Sequence, residues 1–252
     1  MVWRCWGAGA PVALLHGGSG SWNHWVRNIA ALAAGGRQVW VPDLPGFGES
    51  ARPAVGKDAD ALSAPVEAAL QALLGDIALD LVAFSFGAMV AAFIAEQRPA
   101  RVRRLVLVGA PALGIKAASP LVLRPWSHLP PGEARDAAHR VNLERLMLAN
   151  PESIDELALA LHRENLPRDR MRLRRISRTD ILLKTLRKIR CPVFGIWGAE
   201  DVLYRGVQDQ LAPALSVAAD FRGLTLIPGA GHWVQFERPE AFNHALRLAL
   251  GD

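Results

Sequence analysis

Residues 79–97 leave this chain few ways to fold. Leu79 to Ala83 form an apolar run of strand length, and Ala88 to Gln97 carry the small and apolar residues of a packed helix. Only Phe84-Ser85-Phe86-Gly87 lies between them, so strand must become helix within four residues. A turn that sharp presses the backbone against its neighbours and favours small residues, of which Gly87 is one. Ser85 falls at the junction. A serine placed there holds its hydroxyl above the first turn of the helix, whose unpaired N–H groups face the same point.

The same alternation runs through most of the chain. Residues 2–6 and 12–15 read as short strands, with Gly7-Ala8-Gly9-Ala10-Pro11 predicted to form a hairpin-like turn between them. A helix is predicted over 22–34, ended by Gly35-Gly36, then a strand over 38–41 and a Gly- and Pro-rich loop over 42–53. A helix over 60–74 and a strand over 102–108 flank the serine turn. After Pro111 the rhythm breaks: residues 112–180 have helical periodicity and scattered prolines but no strand pattern. Strands resume at 192–197 and 224–227, and residues 239–250 close the chain as a helix. The expected fold is α/β, a mostly parallel sheet of about seven strands covered by helices on both faces. Residues 1–111 and 181–252 would form its core, with 112–180 inserted as a helical cap.

Composition narrows the class. A chain of 252 residues, 51% of them hydrophobic, can bury a substantial single core. The N-terminal residues contain no apolar stretch long enough for a signal peptide, and no run approaches the ~20 apolar residues that span a bilayer. Cys5 and Cys191 have no metal-ligand spacing and are read as reduced and buried, in a cytoplasmic protein without metal or cofactor. Between Arg163 and Arg190 stand eleven basic and three acidic residues. No aromatic side chain is interleaved with them, which argues against a nucleic-acid surface. The alternatives are a solvated face or, for one or two of the arginines, recognition of an anionic substrate.

Two further residues complete a chemical pattern. Asp201, in Trp197-Gly198-Ala199-Glu200-Asp201, and His232, in Gly229-Ala230-Gly231-His232-Trp233, each follow a strand-like run. A serine hydroxyl is a weak nucleophile until a base takes its proton, and a histidine held by a carboxylate is such a base. The order serine, acid, histidine resembles the α/β-hydrolase superfamily. So do PVALLHGGSG (11–20), which resembles its oxyanion loop, and VWVPDLPGFGES (39–50), which resembles its D-x-P-G-x-G-x-S loop. The resemblance implies a Ser85–His232–Asp201 triad and oxyanion donors at the N–H groups of Gly18 and Phe86. It favours Asp201 over the adjacent Glu200, gives His16 and Asp43 structural roles, and sets a trimmed sheet beside the family's usual one. The glycine that the family carries two residues before the nucleophile is Ala83 here.

A serine in this position suits acyl transfer to water, from an ester-type carbonyl substrate. The run His232-Trp233-Val234-Gln235-Phe236-Glu237 also resembles that of the meta-cleavage-product hydrolases, which split carbon–carbon bonds of dienoic diketo acids. By that resemblance Trp233 and a cap arginine, Arg163 or Arg178, would position a substrate carboxylate, while Phe84 stands where those enzymes generally have Asn. A ligand-binding receptor on the same fold is the non-enzymatic alternative. The expected partner is a small molecule, with neither nucleic acid nor membrane; a homodimer is compatible with the sequence.

Overall fold

A computed structural model describes residues 1–115, 121–171 and 173–252. Seven strands form one sheet: β1 (Val2–Trp6), β2 (Ala10–Leu15), β3 (Arg37–Asp43), β4 (Leu79–Phe84), β5 (Val102–Val108), β6 (Val193–Gly198) and β7 (Phe221–Ile227). Their order across the sheet is β1-β3-β2-β4-β5-β6-β7, with every pairing parallel except β1 with β3. β4, which leads to Ser85, is buried throughout, as expected of a central strand covered on both faces.

The hairpin expected between β1 and β2 does not form, because β3 lies between them. Gly7 and Gly9 have positive φ, and a Cβ on either would stand within 2.4 Å of the carbonyls of Arg37 or Gly36. These glycines let the chain cross the start of β3 rather than double back. Cys5, expected to be buried, is exposed on the edge strand β1; it and Cys191 are free thiols.

Helices α1 (Ile29–Ala34), α2 (Ser63–Leu74) and α3 (Phe86–Gln97) lie in the first half of the chain. The helix expected over 22–34 is broken into a 3-10 turn at Trp22–Trp25 and α1. α3 is buried from Phe86 through Ala95, so its apolar circumference follows from its place in the core. Between β5 and β6 come α4 (Glu133–Asn142), a π turn at Leu143–Met147, α5 (Glu156–Asn165) and α6 (Ile181–Leu186), with no strand among the described residues. Residues 116–120 and Arg172, part of the insertion expected over 112–180, lie outside the described residues. α7 (Leu211–Leu215), α8 (Val234–Glu237) and α9 (Pro239–Leu250) complete the chain. No helix among the described residues is long and apolar enough to cross a membrane.

Candidate active site

β4 ends at Phe84 and α3 begins at Phe86, which leaves Ser85 alone in the turn with φ 49° and ψ −115°. A non-glycine residue in that region costs on the order of 1–3 kcal/mol and persists only where its surroundings impose it. Here Ser85 N–H donates to the Val108 carbonyl at 2.8 Å, and the Ser85 carbonyl accepts from Ala88 N–H at 3.0 Å. A Cβ on Gly87 would stand 2.5 Å from the His16 carbonyl oxygen, so only glycine lets the turn lie against the end of β2. Ala83 is buried in the sheet between Leu15 and Leu107, where its methyl group is accommodated.

Strand ends bring the two other side chains to this point. His232 Nε2 lies 2.9 Å from Ser85 Oγ, and His232 Nδ1 lies 2.8 Å from Asp201 Oδ2. With Nδ1–H directed at the carboxylate, Nε2 is left as the acceptor for the serine hydroxyl. Asp201 is fully buried, and its other oxygen accepts from Leu203 N–H at 2.9 Å. Glu200 instead accepts from Ala230 N–H at 3.1 Å.

The histidine loop is tied to the stretch between β5 and β6 by a residue that sequence reasoning assigned no role. The buried Glu237 carboxylate accepts from the N–H groups of Gly231 (2.6 Å), Ala149 (2.9 Å) and Asn150 (2.8 Å), and from the Asn150 side chain at 2.8 Å. Trp233 N–H donates to the Met147 carbonyl at 2.7 Å.

On the opposite side, Gly17 and Gly18 follow β2. A Cβ on Gly17 would stand 2.8 Å from the Phe84 ring. His16 braces this loop: its Nδ1 bonds the Gly17 carbonyl at 2.8 Å and its Nε2 accepts from Leu44 N–H at 2.9 Å. Burial lowers its pKa to about 4, so the ring is neutral near neutral pH, as this pairing requires. Asp43 accepts from the N–H groups of Trp22 (2.9 Å) and Glu49 (3.0 Å), holding its own loop.

A cavity of about 530 Å³ opens over Ser85 and is bordered by Gly18, Phe86 and His232. Phe84 and Trp233 border it as well. The Phe84 ring lies 4.9 Å from that of His232, and Trp233 donates its indole N–H to the His24 carbonyl at 3.0 Å.

The two arginines expected at the substrate are not at the cavity. Arg163 is exposed and paired with Asp136 at 2.8 Å; Arg178 is exposed too. The reason is helical phase: α5 turns His162 and Asn165, one turn apart, toward the cavity, which carries Arg163 away from it. Arg174 and Arg124 border the cavity instead. The spacing of His162 and Asn165 was a readable signal. Nothing in the periodicity distinguished Arg174 from its ten basic neighbours. His24 and His162 also border the cavity. Burial holds the His24 ring well below the ordinary imidazole range and lowers His162 to about 3. Among the described residues no group of three or more His, Cys, Asp or Glu side chains is gathered as a metal site.

Comparison with known proteins agrees with this architecture. Residues 12–245 match the model of the "Alpha/beta hydrolase family". The chain is 30% identical, over 96% of its length, to the dihydrolipoyllysine-residue acetyltransferase component of the acetoin cleaving system of Pseudomonas putida, and spans 64% of that protein. It is 27% identical, over 97% of its length and 87% of the relative's, to a 2-hydroxy-6-oxo-6-phenylhexa-2,4-dienoate hydrolase of Burkholderia cepacia. Among solved structures it resembles an esterase from Rhodococcus sp., with TM-score 0.80, 25% identity and coverage of 99% of this chain and 94% of that one. With seven strands in the expected mostly parallel sheet and a family match over nearly its whole length, the chain belongs to the alpha/beta hydrolase family, as an enzyme related to its esterases and meta-cleavage-product hydrolases.

Proposed function

We propose that this protein hydrolyses the bond beside a carbonyl carbon through an acyl-enzyme on Ser85, and that its substrate is a dienoic diketo acid cleaved at a carbon–carbon bond. The observation that carries the first half is the hydrogen-bonded series Ser85–His232–Asp201, with contacts of 2.9 and 2.8 Å. His232 takes the hydroxyl proton as Oγ attacks the carbonyl, and Asp201 stabilises the imidazolium. The oxygen that gains charge is received by the N–H groups of Gly18 and Phe86. The carbon–carbon bond then breaks, its electron pair delocalising toward the second carbonyl, and His232 returns the proton to the leaving carbon. Water, deprotonated by the same histidine, releases the acid.

The second half rests on the relative from Burkholderia cepacia, which acts on a hydroxy-oxo-phenylhexadienoate and matches 97% of this chain. Support at the cavity comes from Arg124, an exposed residue on its border that a substrate carboxylate could pair with. A helical cap over 112–180, part of the same reading, would exclude water from the intermediate. The competing reading, an ester substrate, is favoured by the apolar Phe84 ring beside His232. Turnover of dienoic diketo acids and of short and aryl esters, by wild type and Ser85→Ala, separates the two. Carbon–carbon cleavage should exceed esterolysis in kcat/KM and vanish with Ser85→Ala. Esterolysis alone would make this a plain esterase, and activity surviving Ser85→Ala would refute the mechanism.

A further inference from the structure

Arg174 is held at the cavity between Asp169, two aromatic rings and the loop that carries Gly18. Its Nη1 pairs with Asp169 at 2.9 Å, and its Nη2 donates to Ser19 Oγ at 3.2 Å. The Ser19 hydroxyl in turn donates to the same Asp169 oxygen at 2.6 Å. The guanidinium lies 5.3 Å from the ring centroids of both Phe47 and Phe86. It also lies directly against Gly18, where a Cβ would stand 3.2 Å from its Cζ and Nη2. Ser19 has φ 52°, in the left-handed region, so the loop conformation that presents Gly18 is one the chain does not adopt unaided.

Neighbouring residues fix the same segment to the core. Arg170 N–H donates to the Gly46 carbonyl at 2.9 Å, and its guanidinium reaches the Gly48 carbonyl at 3.1 Å. Asp58 accepts from the N–H groups of Arg175 and Ile176. Asp169 is buried, so the Arg174–Asp169 pair lies in a medium where an ion pair is screened far less than on the surface.

The geometry points to Arg174 as a positioning residue of the oxyanion hole: with Asp169 and Ser19 it fixes the loop that presents the Gly18 N–H. This rests on the reading that the Gly18 and Phe86 N–H groups receive that oxygen. It separates Arg174 from recognition of a substrate carboxylate. An arginine already paired with Asp169 offers little net charge to a ground-state anion, whereas the loop it holds acts on every substrate in the transition state.

The test uses the rate of covalent modification by a fluorophosphonate, which needs no knowledge of the substrate. Ser85 Oγ attacks phosphorus, fluoride leaves, His232 takes the hydroxyl proton, and the phosphoryl oxygen occupies the oxyanion position. Loss of one direct oxyanion donor costs ~10²–10³ in rate, so Arg174→Ala should slow labelling by roughly ten- to a hundredfold. Ser19→Ala, which removes only the hydroxyl, should give a smaller slowing, and Arg174→Lys should recover part of the loss. On turned-over substrates kcat should fall alike for acidic and neutral compounds, with KM nearly unchanged. Thermal unfolding of each variant separates these effects from lost folding, and Ser19→Ala carries the test if Arg174→Ala does not fold. Unchanged labelling in folded Arg174→Ala and Ser19→Ala, or a KM rise confined to acidic substrates, would overturn the inference. Absence of labelling in an active wild type would instead refute the Ser85 reading beneath it.

Discussion

Glu200 and Asp201 are adjacent, yet their carboxylates serve different partners: Asp201 lies 2.8 Å from His232 Nδ1, and Glu200 accepts from Ala230 N–H at 3.1 Å. Removing the charge from Asp201 should therefore disable the histidine, while the same change at Glu200 should only loosen a loop. Asp201→Asn is expected to lower kcat by about 10⁴, the order seen for the equivalent change in a serine-protease triad, and Glu200→Gln by less than about tenfold. Steady-state kinetics of both variants check the ranking. The reverse order would mean that Glu200 orients the base.

Glu237 holds the histidine loop from behind. Its carboxylate gathers N–H groups from Gly231, Ala149 and Asn150, and hydrogen bonds to a buried charge are worth about 1.5–3 kcal/mol each when one partner is lost. Glu237→Gln keeps the shape but replaces an acceptor oxygen with a donor. We expect it to lower the unfolding midpoint and to reduce kcat more than it raises KM, because the position of His232 is what is loosened. Chemical denaturation together with kinetics measures both; unchanged stability would contradict the bracing role.

Much of this arrangement was legible before the structure. The short distance from strand to helix around Ser85, and the acid and histidine after later strands, reflect local constraints that each leave a residue signature. The failures were non-local. Val2–Trp6 pairs with Arg37–Asp43 rather than with the next strand, and only the approach of Gly7 and Gly9 to Gly36 and Arg37 explains the crossing. The resemblance points to a cap arginine such as Arg163, but helical phase decides which neighbour faces the cavity, and it favours His162. Arg174 acts through Ser19, 155 residues away in the chain, a contact that no spacing encodes.

Acid should destabilise the fold through its buried neutral histidines. His16 has its pKa lowered by burial from 6.5 to about 4, and His162 to about 3. In the unfolded chain both protonate near pH 6.5, so the unfolded state binds more protons below that pH. The stability associated with His16 is fully present above pH 6.5 and is lost as pH falls to about 4, by roughly 3 kcal/mol in total. Urea denaturation at intervals from pH 7.5 to 4 should show this decline. A flat profile across that window would contradict the buried neutral state.

Gly87 separates the serine turn from the end of β2, where a Cβ would stand 2.5 Å from the His16 carbonyl. Gly87→Ala must shift one of the two backbones, and overpacking of this kind costs about 1–3 kcal/mol. Its unfolding free energy should fall by that amount and its kcat should fall too, since the displaced turn carries Ser85. Normal stability with normal kcat would show that the turn can relax without disturbing the site.

Covalent capture of Ser85 tests the central claim most directly. Intact-mass and peptide mass spectrometry after exposure to a fluorophosphonate should find one adduct on wild type, on the peptide containing Ser85, and none on folded Ser85→Ala. Equal modification of the two proteins, or an unmodified wild type that still turns over substrate, would contradict a nucleophilic serine at this turn.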